Sequence, residues 1–146
     1  MNWLSESISD LRLYGQRKRF LESVDSQLIW LENDFAALKG CATDSEAVEG
    51  GASKSEDRLL NNIVKRDKLK QSKRLAKEFV EQVEKTLDML PKQQKDILTE
   101  FFIDRSKGHI ERLMEKYHVE QAHIYRLKNE SLYSFTILRY GASNTQ

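Results

Sequence analysis

The sequence contains little of what many small folds depend on. Its 146 residues include one cysteine, one proline and six glycines. A single cysteine, Cys41, cannot form an internal disulfide, and no Cys/His cluster has the spacing of a zinc site. No apolar run approaches the roughly 18 residues of a membrane-spanning helix. These shortages exclude a domain whose fold depends on disulfides or structural zinc. They also predict a protein without a cofactor and without a membrane-spanning segment.

Charged and apolar residues are abundant, at 32% and 39% of the chain. With so few helix breakers, this composition is typical of an all-α protein with long exposed helix faces. The first ten residues, MNWLSESISD, are acidic and lack the basic and apolar regions of a signal peptide. We therefore expect a cytoplasmic protein.

The net charge of +1 is the sum of alternating blocks. Residues 51–77 hold nine Lys and Arg against three Asp and Glu, a net of +6. Residues 105–146 hold seven against four, a net of +3, whereas residues 1–50 and 78–104 are each at −4. Two basic blocks permit nucleic-acid binding, although such blocks also serve charge pairing within a chain or a dimer.

The segment from Lys107 to Phe135 has the periodicity of two short helices joined by a tight turn. The turn is His118-Val119-Glu120. Before the turn, Ile110, Leu113, Met114 and Tyr117 recur at spacings of three and four residues. After the turn, the apolar set is Ile124, Leu127, Leu132 and Phe135. Two short helices joined by a three-residue turn are the pattern that predicts a helix-turn-helix.

The residues upstream predict a long helical hairpin over 1–89. Its first helix carries a short heptad seam at Leu21, Val24, Leu28, Leu31, Phe35 and Leu38, with Ile29 and Trp30 widening the apolar face. The seam packs either against its own chain or in an intermolecular coiled coil. Gly15 predicts a break or kink, and the Gly- and Ser-rich residues 39–56 predict a flexible linker. The basic residues of the second helix, 57–89, form either a solvated face or a phosphate-contacting surface.

Pro91 is expected to open a new helix, because proline favours the first helical position. A C-terminal domain over 90–140 then contains three helices at about 91–104, 108–117 and 120–138. Residues 141–146 are expected to be a disordered tail.

The segments LPKQQKDILTEFF and HIERLMEKYHVEQAHIYRLKNESL resemble region 4 of bacterial sigma factors and the similar domains of phage late-transcription regulators of the ArpU and RinA type. The resemblance covers about 50 residues, and it implies a phage or prophage DNA-binding regulator of transcription. At the turn, where the family usually has a left-handed glycine, this chain has His118. Where the family has a Ser or Thr cap, this chain has Glu120, a poorer cap and a negative charge near the expected phosphates.

The buried pattern of the second helix also predicts which side chains would meet DNA. The expected base contacts are Gln121, Ala122, Tyr125, Arg126 and Asn129. Arg126 suits guanine, and Gln121 or Asn129 suits adenine. The expected phosphate contacts are Lys107, His109, Arg112, Lys116, His123 and Lys128. The alternative for Arg126 is an ordinary surface position, and for Tyr125 it is packing against a neighbouring helix.

Apolar residues near the end of the last helix exceed what a three-helix domain needs, and they predict packing onto the long helices or across a homodimer: Tyr133, Phe135, Ile137, Leu138 and Tyr140. No catalytic triad, HExxH motif or phosphate-binding loop is present, so we expect no enzyme. The predicted partner is double-stranded DNA. The alternative is a protein-interaction module that binds RNA polymerase or another host protein, with inhibition of that protein as one outcome.

Overall fold

A computed structural model describes residues 1–44 and 51–144, and the side chains of 1–41 and 54–144. These residues form five α-helices: α1 (Trp3–Asp44), α2 (Gly51–Asp88), α3 (Lys92–Leu98), α4 (His109–Tyr117) and α5 (Gln121–Tyr140). A π-helical segment, Thr99–Ile103, follows α3 directly. The predicted all-α class is confirmed. None of the helices in the described ranges combines the length and apolar character that a membrane crossing requires.

The described chain divides into two compact units. One unit, the terminal unit, combines Met1–Lys18 with Glu78–Gln146, and the other, the hairpin unit, is Arg19–Lys77. The first eighteen residues therefore belong with the C-terminal helices, although the sequence grouped them with the hairpin. The reason is a set of contacts between α1 and α5 that are distant in sequence.

Two side chains near the start of α1, Ser7 and Asp10, contact three side chains at the end of α5 in the terminal unit. Buried Thr136 donates a hydrogen bond from Oγ1 to Ser7 Oγ at 2.7 Å. Arg139 Nε lies 2.6 Å from Asp10 Oδ2, and both side chains are largely buried. Tyr140 donates its hydroxyl to the same carboxylate. Because α5 is anchored in this way, its last turns pack onto a long helix, one of the two arrangements expected from their apolar residues.

The chain remains ordered beyond α5, in contrast to the expected disordered tail. Tyr140 stacks on Trp3 with ring centroids 4.5 Å apart. The Trp3 amide donates to the Ser143 carbonyl at 3.1 Å, next to a bridge between Asn2 and Asn144. These contacts fix residues 141–144, and the last two predicted tail residues lie outside the described residues.

Gly15 does not break α1, which is continuous through this position. A Cβ atom built on Gly15 would lie 2.7 Å from the carbonyl oxygen of Ile103 in the π-helical segment. The expected break is therefore absent from α1. The glycine is explained by close backbone approach, which only a residue without Cβ permits.

The π-helical segment after α3 keeps its own apolar side chains buried. The Asp104 amide donates to the Thr99 carbonyl at 2.8 Å, which closes the wider π turn. Phe101 and Ile103 are each only 7% exposed as a result. Their burial places the Ile103 backbone against Gly15.

In the hairpin unit, α1 and α2 pack along the predicted heptad seam within one chain. Val24 and Leu31 are buried. Buried Asn62 donates to the Leu31 carbonyl at 2.9 Å, and Lys73 pairs with Asp25 at 2.6 Å. Later residues of α2 thus meet earlier residues of α1, as in an antiparallel pair.

The two helices of the hairpin extend into the predicted linker. α1 continues through Asp44 and α2 begins at Gly51. The linker expected over residues 39–56 is therefore helical at both ends, and residues 45–50 lie outside the described residues. Extending an existing helix requires no new nucleation, which offsets the cost of a glycine such as Gly40.

Candidate nucleic-acid interface

The turn between α4 and α5 begins with a residue in the left-handed backbone conformation. His118 has φ 55° and ψ 47°, and it is the one non-glycine residue with positive φ in the described ranges. The Val119 amide returns to the Met114 carbonyl at 3.3 Å. Glu120 precedes α5 in an extended conformation, and its side chain makes no capping hydrogen bond. The first amides of α5 are thus not satisfied by this carboxylate.

A small apolar core holds α4 and α5 against α3. Its buried members are Ile97, Phe101, Leu113 and Ile124. Around them pack the half-buried side chains of Phe102, Ile110, Met114, Tyr117, Val119 and Leu127. Ile124 and Leu113 are 0% and 2% exposed, so the inward faces of both helices are fixed. The opposite face of α5 is consequently directed to solvent.

All five predicted base-contacting residues, Gln121, Ala122, Tyr125, Arg126 and Asn129, are exposed on α5. Arg126 has no acidic partner in the part of the chain that the structure describes. A free guanidinium on this face can make two parallel hydrogen bonds to the edge of guanine. The amide groups of Gln121 and Asn129 have the donor and acceptor pair that adenine requires.

Tyr125 combines the two roles that the sequence left open. Its ring meets Phe101 edge-on at 6.0 Å, yet the residue is 38% exposed. The Lys128 ammonium lies 5.3 Å from the Tyr125 ring centroid and 5.5 Å from that of Phe101. Contact with the two rings restricts Lys128 and keeps its charge beside the exposed face of α5.

His109 is not available as a phosphate contact. Its ring is buried, with Nδ1 3.1 Å from the Ser106 carbonyl and the ring edge-on to Phe101 at 5.0 Å. The expectation that this imidazole meets DNA is corrected. The aromatic ring adds to the apolar core beneath α4, and its polar atom is satisfied within the chain.

Two other predicted phosphate contacts are engaged in ion pairs with α3 and the π-helical segment. Arg112 Nη2 lies 2.8 Å from Glu100 Oε2, and Lys116 Nζ lies 2.8 Å from Asp96 Oδ2. Both cations are about half exposed, at 47% and 54% of the side chain. Solvent screens such exposed pairs, so they contribute little to stability. They leave the cations able to exchange a carboxylate for a phosphate.

Asp96 is the most strongly bound of these carboxylates. Partial burial opposes its ionisation, but hydrogen bonds from Lys116 and Tyr117 outweigh burial and lower its pKa. An open groove of about 390 Å³ follows this row of paired charges, with Thr99 and Leu113 in its lining. This pairing could not be predicted from the sequence, because Asp96 and Lys116 are brought together only by the packing of α3 on α4.

The remaining predicted phosphate contacts differ in exposure. Lys107 is exposed just before α4, whereas His123 and Lys128 are half-buried on α5. Lys107 Nζ has no acidic partner in the described ranges, and its carbonyl accepts a hydrogen bond from Arg112 at 2.9 Å. Four lysine and arginine side chains thus remain on α5, on α4 or just before α4: Lys107, Arg112, Lys116 and Lys128.

Comparison with protein-family models, curated proteins and solved structures finds no match to this chain. Its function therefore has to be inferred from the chemistry and placement of these side chains.

Proposed function

We propose that this protein is a DNA-binding regulator of transcription that places α5 in the major groove. The supporting observation is the row of exposed base-reading side chains on α5, with Arg126 unpaired among the described residues. The inward face of α5 is held in place by Ile124, which packs in the apolar core beneath the helix. A rigid helix with a polar outer face, preceded by a short helix and a tight turn, is the arrangement that reads base edges in helix-turn-helix proteins.

Affinity in this proposal comes from lysine and arginine contacts to phosphate. Lys107 and Lys128 would bind first, because neither has a carboxylate partner in the described ranges. Arg112 and Lys116 would exchange Glu100 and Asp96 for phosphate at small cost. The sequence resemblance favours a cytoplasmic phage or prophage regulator. A homodimer, with Tyr133 and Leu138 exposed at 52% and 46%, would suit paired half-sites.

The alternative is a protein-interaction module directed at RNA polymerase or another host protein. Glu120 favours this alternative. Its carboxylate makes no capping hydrogen bond and lies at the N-terminus of α5, where a phosphate would approach. The pairing of Arg112 and Lys116 with acidic residues favours it as well. We rank it second, since neither feature explains an unpaired arginine between two amide side chains.

Selection from random duplex DNA tests the proposal. We expect recovery of a defined sequence, and loss of discrimination at one or two positions with Arg126→Ala. Arg58→Ala, which removes an exposed arginine from the hairpin unit, is the matched control and should retain the wild-type sequence. Recovery of no common sequence, or the same loss with Arg58→Ala, would contradict sequence-specific binding through α5.

A further inference from the structure

The hairpin unit exposes a tryptophan beside an apolar groove. Trp30 is 65% exposed on α1, although its neighbour Leu31 is buried. The groove beside it has a volume of about 620 Å³ and is lined by Trp30, Leu31 and Leu69 together with Lys65 and Lys68. Single exposed apolar residues are common, but a large aromatic in an apolar groove with a charged rim is typical of an interaction site.

The rim of this groove, called here the Trp30 groove, carries uncompensated positive charge. Neither Lys65 nor Lys68 has an acidic partner among the described side chains, which are those of residues 1–41 and 54–144. Lys73, two turns further along the same helix, does have one in Asp25 at 2.6 Å. The α1 side of the groove contributes only the uncharged residues Ser26 and Gln27 besides its apolar residues. The Trp30 groove therefore matches an occupant that is apolar along its centre and negative along its edge.

We propose that the Trp30 groove binds an acidic amphipathic helix of a partner protein. A groove between two packed helices accepts the side-chain ridge of a third helix. Lys65 and Lys68 are three residues apart, so they lie on one face about 5–6 Å from each other. Two carboxylates one turn apart on the partner helix match this spacing, and an aliphatic or aromatic side chain between them would cover Trp30.

Charge argues against the two other occupants. A second copy of the chain related by a two-fold axis through the groove would bring Lys65 and Lys68 against themselves. A single-stranded nucleic acid stacks on aromatics but also needs a track of cations along its backbone, and this groove offers two lysines beside leucine side chains. The proposal does not depend on whether α5 reads DNA, because all of its residues lie in the hairpin unit.

The experiment uses the full chain with Trp3→Phe, so that Trp30 is the one remaining tryptophan. A display library of amphipathic helical peptides is selected against this protein, and recovered peptides are titrated while Trp30 fluorescence is recorded. We expect recovered peptides to carry acidic pairs three or four residues apart beside an apolar row, and to shift Trp30 emission to the blue. Recovery of no peptide, or of peptides without acidic pairs, would overturn the proposal.

Charge reversal distinguishes binding at the groove from general attraction. The double variant Lys65→Glu with Lys68→Glu should weaken binding of the acidic peptide about tenfold or more. A peptide in which lysines replace the acidic residues should bind this variant. Lys70→Glu with Lys77→Glu, two exposed lysines of α2 outside the groove, is the matched control and should change affinity by less than about twofold. Equal weakening by both pairs would overturn the proposal.

Two further measurements address the competing occupants. Tighter binding of oligo-dT than of any recovered peptide, with a change in Trp30 emission, would assign the groove to nucleic acid. A blue shift of Trp30 with protein concentration alone would assign it to a second copy. Either result would refute the partner-helix proposal.

Discussion

Replacing Gly15 with alanine should destabilise the protein, although the same change stabilises an ordinary helix. The added Cβ would lie 2.7 Å from the Ile103 carbonyl oxygen and 3.4 Å from its carbonyl carbon. Both contacts involve backbone, so neither can be relieved by a side-chain rotation. α1 and the π-helical segment would have to move apart.

The magnitude follows from two opposing terms. Alanine favours the helical backbone over glycine by about 1 kcal/mol. Overpacking of a fixed core costs about 1–3 kcal/mol, and a contact between two backbones belongs at the upper end of that range. We therefore expect Gly15→Ala to lower the free energy of unfolding by about 2 kcal/mol.

Gly40→Ala provides the matched control, because Gly40 lies in the same helix and its Cβ would meet no atom within 4 Å. It should raise the free energy of unfolding by about 0.5–1 kcal/mol. Urea denaturation followed by circular dichroism measures both changes, and the Tm should move in opposite directions, by roughly 4–8 °C down and 1–4 °C up.

Stabilisation by Gly15→Ala, or equal effects at the two glycines, would refute the close approach of α1 to Ile103. A change in the m-value of either variant would instead show that the folded or the unfolded state has changed in compactness.

Three further perturbations have defined outcomes. His118→Gly should raise the free energy of unfolding by about 0.5–1 kcal/mol in urea melts, because glycine removes the strain of the left-handed backbone and the histidine is exposed; a loss would contradict that strain. Burial, and then the hydrogen bond to Glu84, raise the pKa of Tyr14, so the folded state keeps this proton while the unfolded state loses it above about pH 10. Stability should therefore fall with rising pH from about 10 upward, and Tyr14→Phe should reduce that slope in melts recorded across this range; an unchanged slope would refute the assignment. Asp10→Ala leaves Arg139 largely buried without its carboxylate and should cost about 3 kcal/mol; a loss below about 1 kcal/mol in the same melts would contradict the buried pair.

Local periodicity was sufficient to place the C-terminal helices. The turn at His118 and the buried positions Leu113 and Ile124 all follow from spacings of three and four residues. The observed helices α4 and α5 begin within about one residue of the expected positions. Helical faces repeat within a few residues, so the sequence itself contains this information.

Contacts between distant residues were not accessible in the same way. Gly15 was interpreted from helix propensity alone, since nothing near it in sequence indicates that Ile103 approaches. His109 was predicted to contact phosphate, but its ring is buried against Phe101, which is eight residues away in sequence. Trp30 was expected to widen an apolar face, and only the structure places it beside two unpaired lysines.

The most direct test of the proposed function is the salt dependence of binding to duplex DNA. The proposal assigns four cations to phosphates: Lys107, Arg112, Lys116 and Lys128. The logarithm of the association constant should then fall linearly with the logarithm of the salt concentration, with a slope of about −3 to −4. Lys107→Ala should reduce the slope by about one and leave sequence preference unchanged. No binding at low salt, or a slope near zero, would contradict DNA recognition through α5.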